Sequence, residues 1–99
     1  MLVKVEWDEA KDRANQQKHG LSFTEASELF QSEADYLEIF DEKHSVTEDR
    51  FIAIGPIRRG LVLVVWTERE EEIVRMMSAR WATVAERNLY REYVRDHHD

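Results

Sequence analysis

RFIAIGPIRRGLVLVVWTE, residues 50–68, contains two apolar runs separated by Arg58-Arg59-Gly60. Two strand-like runs around a short turn with a glycine read as an antiparallel hairpin. The second run, LVLVVW, is apolar at both strand parities, which predicts a central strand covered on both faces. Outward from the hairpin, EIVRMMSA (72–79) predicts a further strand after the acidic turn Glu70-Glu71-Glu72. YLEIF (36–40) predicts one before it, followed by the polar loop DEKHSVTED (41–49). Strands joined in this way form an antiparallel meander.

The flanks are helical apart from one strand, LVKVE (2–6), which alternates in polarity. Asp8 can cap a helix over residues 9–18, with Ala10, Ala14 and Gln17 on the face shared with Trp7. FTEASELFQ (23–31) predicts a second helix with Phe23, Ala26, Leu29 and Phe30 facing inward. The corner between them carries its own punctuation. Gly20 suits a left-handed position after the first helix, Leu21 can fold back on it, and Ser22 with Glu25 has capping-box spacing. Thr83 with Glu86 opens a last helix over 83–96, with Ala82, Ala85, Leu89 and Tyr93 as its apolar face. The predicted order is β-α-α-β-β-β-β-α: one α+β domain over residues 1–99, a small antiparallel sheet flanked by helices.

Composition bounds the function. With 42% hydrophobic and 35% charged residues the chain is rich enough in apolar side chains to fold as a compact domain. It has no cysteine, which excludes disulfides and thiolate chemistry and fits a reducing cytoplasm. MLVKVEWDEA is broken by charges and is not an export signal, and the longest apolar run, 61–66, is far short of a membrane span. A cytoplasmic protein without membrane contact is expected. The net charge of −7 is unevenly distributed. Residues 1–49 carry five Lys/Arg against thirteen Asp/Glu, whereas residues 50–99 carry nine arginines and no lysine against eight acids. The planar fork of arginine matches phosphate or carboxylate, so the second half points to an oxyanion or an acidic partner. A solvated face laced with ion pairs explains the same residues.

The two-helix corner suggests a DNA-reading helix-turn-helix, but FTEASELFQSE offers Glu25, Glu28 and Glu33 and no cation, which rules that reading out. Lys18 and His19 close the first helix, where cations also serve simply to oppose the helix dipole. His44, His97 and His98 lack metal-ligand spacing, so neither metal nor cofactor is expected. The remaining candidates lie at strand ends and loops held by the sheet: Glu48 and Arg50 entering the hairpin, Arg69 leaving it, Arg75 and Arg80 in RMMSAR, and Glu86 with Tyr90 one helical turn apart. Arg80 shares strand parity with Val74, Met76 and Ser78, and Glu86 is fully explained as a capping carboxylate.

Taken in order, WDEAKDRANQQKHGLSFTEA, EDRFIAIG, LVLVVWTER and VRMMSARWATVAERNLY resemble the BrnT family of type II toxins, from about Val5 to Tyr90. The specific elements are W-D-x-x-K-x-x-x-N-x-x-K-H-G and S-A-R followed by E-R-x-x-Y. The resemblance implies a RelE-like fold and a metal-independent endoribonuclease that inhibits translation. It also implies a BrnA-like antitoxin partner in a toxin–antitoxin hetero-oligomer, with DNA contacted only through the antitoxin. Under it, Lys18 and His19 face RNA phosphate. His19 or Glu48 would take the 2′-hydroxyl proton, and His19 or Tyr90 would protonate the leaving oxygen. Arg50, Arg69 and Arg80 would clamp the phosphorane. Two departures remove cations: the family often has a glycine in the turn filled here by Glu70-Glu71-Glu72, and basic residues where Trp81-Ala82-Thr83-Val84-Ala85 follow Arg80. With a net charge of −7, weak nonspecific RNA capture is expected. The rival reading is an interaction module of the same fold that binds an antitoxin and tunes operon repression with little or no cleavage.

Overall fold

The computed structural model describes residues 3–70 and 72–97, so the readings at Leu2, Glu71 and His98 lie outside the described residues. The elements are β1 (Lys4–Glu6), α1 (Glu9–His19), α2 (Phe23–Ala26), α3 (Glu28–Gln31), β2 (Leu37–Phe40), β3 (Phe51–Ile57), β4 (Gly60–Arg69), β5 (Ile73–Trp81) and α4 (Val84–His97), with one 3₁₀ turn at Glu42–His44. The meander is present, and β4 lies at the centre of the strand order β1-β5-β4-β3-β2. Ser27 interrupts the expected second helix, leaving two four-residue pieces. The sheet is mixed and not antiparallel throughout, because β1 pairs parallel to β5, with Val5 opposite Val74. A three-residue alternating strand carries a face preference in its sequence and no direction. Its direction is set by the long path through the helices.

One face of the sheet makes the core. Ala53, Val62, Val64, Trp66, Val74, Met76 and Ala79 pack against Leu21, Phe23, Ala26, Leu29 and Phe30. Gly55 lets α3 come close: a Cβ there would stand 2.6 Å from Leu29 Cδ1 and 2.7 Å from Tyr36 Cβ. Gly20 takes the expected left-handed conformation (φ 65°) and its N–H donates to Gln16 O at 2.8 Å. Only half of the Ser22–Glu25 capping box forms. Ser22 Oγ accepts from Glu25 N, while the Glu25 carboxylate is drawn away to Arg59, which also lies over the Trp81 ring.

Two helices depart from the amphipathic expectation. Ala10, Ala14 and Gln17 of α1 are exposed, and its buried residues are Asp12 and Asn15. Asp12 accepts from Phe23 N at 2.8 Å. Asn15 stands in for a neighbouring strand: Nδ2 donates to Ala79 O (2.7 Å) and Leu21 O (2.9 Å), and Oδ1 accepts from Ala79 N (3.0 Å). Beyond the short β1, α1 thus completes the β5 edge through an amide, so the buried stripe of α1 had to be polar. In α4, Ala85 is exposed, Leu89 is 48% exposed, Tyr93 is half-buried and no residue is buried. That helix is held by polar contacts at its start and middle, described below.

The register of β4 with β5 slips once. Val65 faces Ser78 and Trp66 faces Met76, leaving Met77 as the extra residue of a bulge. The slip undoes the expected parity of Arg80. Val74, Met76 and Ala79 enter the core, whereas Ser78 and Arg80 emerge on the opposite face. A bulge that re-aims side chains is a recurrent device beside functional sites.

Candidate active site

The second face of the sheet is divided. Towards one end, Ile54 and Leu63 are buried away from the main core, on the face where α4 lies against β3. Here Arg80 forms a bidentate pair with Glu86, Nη1 to Oε1 at 2.7 Å and Nη2 to Oε2 at 2.8 Å. Glu86 Oε1 also accepts from Thr83 N at 2.8 Å, and Thr83 Oγ1 accepts from Glu86 N at 3.2 Å, so this capping box is complete. The Arg80 fork, aided by Thr83, pulls the Glu86 carboxyl down to about 2, and Glu86 in turn raises Arg80. One turn further, Tyr90 donates its hydroxyl to Asp35 O at 2.8 Å; burial, then the charge of Asp35, raises the phenol.

Towards the other end the face is uncovered and forms a cleft of about 430 Å³ lined by Lys11, Asp41, His44, Arg50, Val65, Met77 and Ser78. The Val65–Ser78 cross-strand pair and the bulge residue Met77 make its floor. Lys11 reaches it from α1. The β2–β3 connection supplies the opposite wall and is firmly tied. Asp41 N donates to Arg50 O (2.9 Å), Arg50 N donates to Ser45 Oγ (2.9 Å), and Thr67 Oγ1 donates to Asp49 O (2.6 Å). His44 Nδ1 lies 2.9 Å and 3.2 Å from the two Asp41 carboxylate oxygens.

Arg50 is the unusual member. Its Nε is buried without a hydrogen-bond partner, and its side chain makes no hydrogen bond or ion pair with any described residue. Leaving such a donor unsatisfied costs about 1–3 kcal/mol, so the fold gains no polar contact from this guanidinium. Lys11 makes no side-chain hydrogen bond or ion pair among the described residues, and its charge acts on the Asp8 carboxylate that caps the same helix. Two cations outside any ion pair, a carboxylate-held imidazole and a serine hydroxyl therefore surround one open volume. This set can hold an oxyanion and move a proton beside it.

Of the seven site residues expected from sequence, Arg50 alone lines the cleft. Arg80 is two residues from Ser78 on the same face, about 7 Å along the strand, with its fork occupied by Glu86. Arg69 is exposed at the end of β4, four residues beyond Val65 and about 13 Å along the strand. Glu48 is exposed in the loop between His44 and Arg50. Lys18 and His19 end α1, about 10–12 Å along its axis from Lys11. Lys11, Asn15 and Lys18 nevertheless fall within about 60° of one another around the helix, so K-x-x-x-N-x-x-K is a single stripe along the β5 edge. Nothing in the sequence alone assigns Lys11, Asp41, His44, Met77 or Ser78 to this site. Their available signals were that stripe and the Asp41-x-x-His44 spacing. Arg75, also considered, pairs with Glu6 at 3.3 Å.

A family model described as "Ribonuclease toxin, BrnT, of type II toxin-antitoxin system" matches residues 7–86, which include every cleft residue and exclude Tyr90. Among solved structures, the chain is similar to the 1.1 Å crystal structure of the Brucella abortus ribonuclease toxin BrnT. The identity is 26% and the TM-score 0.60, covering 82% of this chain and 97% of that one. No curated protein matches the sequence.

Proposed function

The chain belongs to the BrnT family of ribonuclease toxins of type II toxin–antitoxin systems, and from that premise we propose that it is a cytoplasmic, RelE-like endoribonuclease. It cleaves RNA without a metal, by attack of a 2′-hydroxyl on the adjacent phosphate, and so inhibits translation. A BrnA-like antitoxin neutralises it in a hetero-oligomer and provides the DNA contact. The observation that carries this reading is Arg50, an arginine held in an open cleft with its Nε buried and unpaired. An RNA phosphate bridged to Arg50 and Lys11 gives Arg50 the ion pair it lacks. Lys18, on the same helical stripe, extends the positive track along the strand edge, and Arg80 and Arg69 lie on the same face to either side of the cleft.

The interaction-module reading draws support from the bidentate Arg80–Glu86 pair, which occupies one expected clamp, and from the net charge of −7. Product chemistry separates the two. Purified protein incubated with RNA in the presence of EDTA should yield fragments with 2′,3′-cyclic phosphate and 5′-hydroxyl ends. Intact RNA, from a folded protein that still binds its antitoxin, would favour the module.

A further inference from the structure

None of the proton-carrying residues expected from sequence, His19, Glu48 or Tyr90, lines the cleft that holds Arg50, and the Tyr90 hydroxyl is engaged with Asp35 O. A 2′-hydroxyl attacking a phosphate bound there still needs a base. The geometry points to His44, positioned by Asp41, as the catalytic group that takes this proton, an inference that rests on the ribonuclease reading above. Asp41 engages Nδ1 with both carboxylate oxygens. A carboxylate on Nδ1 fixes the tautomer with the proton on that nitrogen, leaving the Nε2 lone pair as acceptor. Nε2 has no partner among the described residues. The Asp41 side chain is 16% exposed and its backbone N–H is bonded to Arg50 O, so the carboxylate that orients the imidazole is anchored to the residue that holds the phosphate. The His44 ring is 65% exposed, which leaves room for substrate beside it.

The step balances within the substrate. The 2′-O–H proton passes to His44 Nε2 as the 2′-oxygen bonds to phosphorus. The P–O5′ bond breaks with its electron pair on the 5′-oxygen, which takes a proton from water. The imidazolium returns its proton to the hydroxide so formed. Arg50 and Lys11 hold the non-bridging oxygens, where charge accumulates. The charged groups facing His44 are Asp41 from its own turn, Lys11 from α1 and Arg50 at the entry to β3.

Single-turnover cleavage of a short RNA oligonucleotide between pH 5 and 8 tests the assignment, with binding of its 2′-O-methyl analogue measured in parallel. His44→Gln should cut about 10²–10⁴-fold more slowly and lose the limb that imidazole titration produces in this range, while binding the analogue within about threefold of wild type. Asp41→Asn should slow cleavage about tenfold and keep the limb, since Asp41 acts only through His44. His44→Ala should regain part of its rate with added imidazole, a response that a structural histidine would not give. His97→Gln, at the far end of α4, should match wild type. If wild type cleaves while His44→Gln keeps its rate and pH profile, the assignment to His44 is wrong and the ribonuclease reading stands. If wild type itself does not cleave, both fall.

Discussion

Arg50 and Arg80 project from the same face of the same sheet and are treated in opposite ways. Arg80 is matched atom for atom by Glu86, which also caps α4, so this arginine and its carboxylate act as a fastener for a helix that buries no residue of its own. Arg50 sits in a tied wall outside any ion pair, its Nε buried and idle. A fully paired guanidinium beside a weakly packed helix has a structural task, and its charge is spent within the fold. An unpaired one in a cleft costs stability in the free protein and is useful only when an anion arrives. The two ends of the face thus differ less in composition than in whether each cation already has its partner.

The largest expected effect lies at Arg50. Arg50→Ala should lower RNA cleavage about 10²–10³-fold, the usual cost of removing one preorganised oxyanion donor. Its thermal midpoint should hold steady or rise, because the guanidinium has no hydrogen bond to lose. Arg80→Ala, compared at equal folded fraction, should lose at least tenfold less activity than Arg50→Ala and should lower the midpoint. Kinetics and calorimetry on the two variants would break the contrast if the losses were exchanged.

A second test concerns the strand edge that brings Lys11 to the open end. Asn15→Ala removes three buried hydrogen bonds and leaves the Ala79 N–H and C=O unpaired, which should cost about 2–3 kcal/mol in urea unfolding. A loss below about 0.5 kcal/mol would show that α1 is not fastened through this amide.

At the covered end the effects are smaller. Glu86→Ala removes both a cap and the partner of Arg80 and should cost about 1–2 kcal/mol, discounted because the Arg80 side chain is 37% exposed. The pH dependence follows from the lowered Glu86 carboxyl. A carboxylate whose folded value lies below its unfolded one stabilises above the unfolded value and loses that contribution as pH falls. The Arg80–Glu86 contribution should therefore be constant from pH 7 to about 4.5 and disappear between about 4.5 and 2. With solvent screening it amounts to about 1 kcal/mol. Comparing wild type with Glu86→Gln across that range isolates it, and a difference already fading between pH 7 and 5 would contradict the assignment.

The hairpin was legible because both of its strands are long, apolar and joined by a short turn. The central position of β4 followed from its two apolar faces. Gly20 and the Thr83–Glu86 box were legible because they are local chemistry. The direction of β1, the bulge at Met77 and the polar seating of α1 were not, since each depends on a neighbour remote in sequence: β5 for β1, Trp66 for the bulge, Ala79 for Asn15. The site followed the same division. Arg50 was found as a strand-end arginine, whereas His44 looked like one more residue of a polar loop until Asp41 and the cleft gave it a direction. Lys18 and His19 stand out in the sequence as adjacent proton carriers, yet the cation of the stripe that reaches the cleft is Lys11.

On the proposed reading, RNA is held at the open end of the face and not beneath α4. Amide and side-chain chemical shifts recorded while the 2′-O-methyl oligonucleotide is titrated into wild-type protein test it most directly. The largest changes are expected at Lys11, His44, Arg50, Val65 and Ser78, with Glu86 and Tyr90 nearly still. Changes concentrated at Glu86, Tyr90 and Arg80, with the cleft residues unmoved, would contradict it.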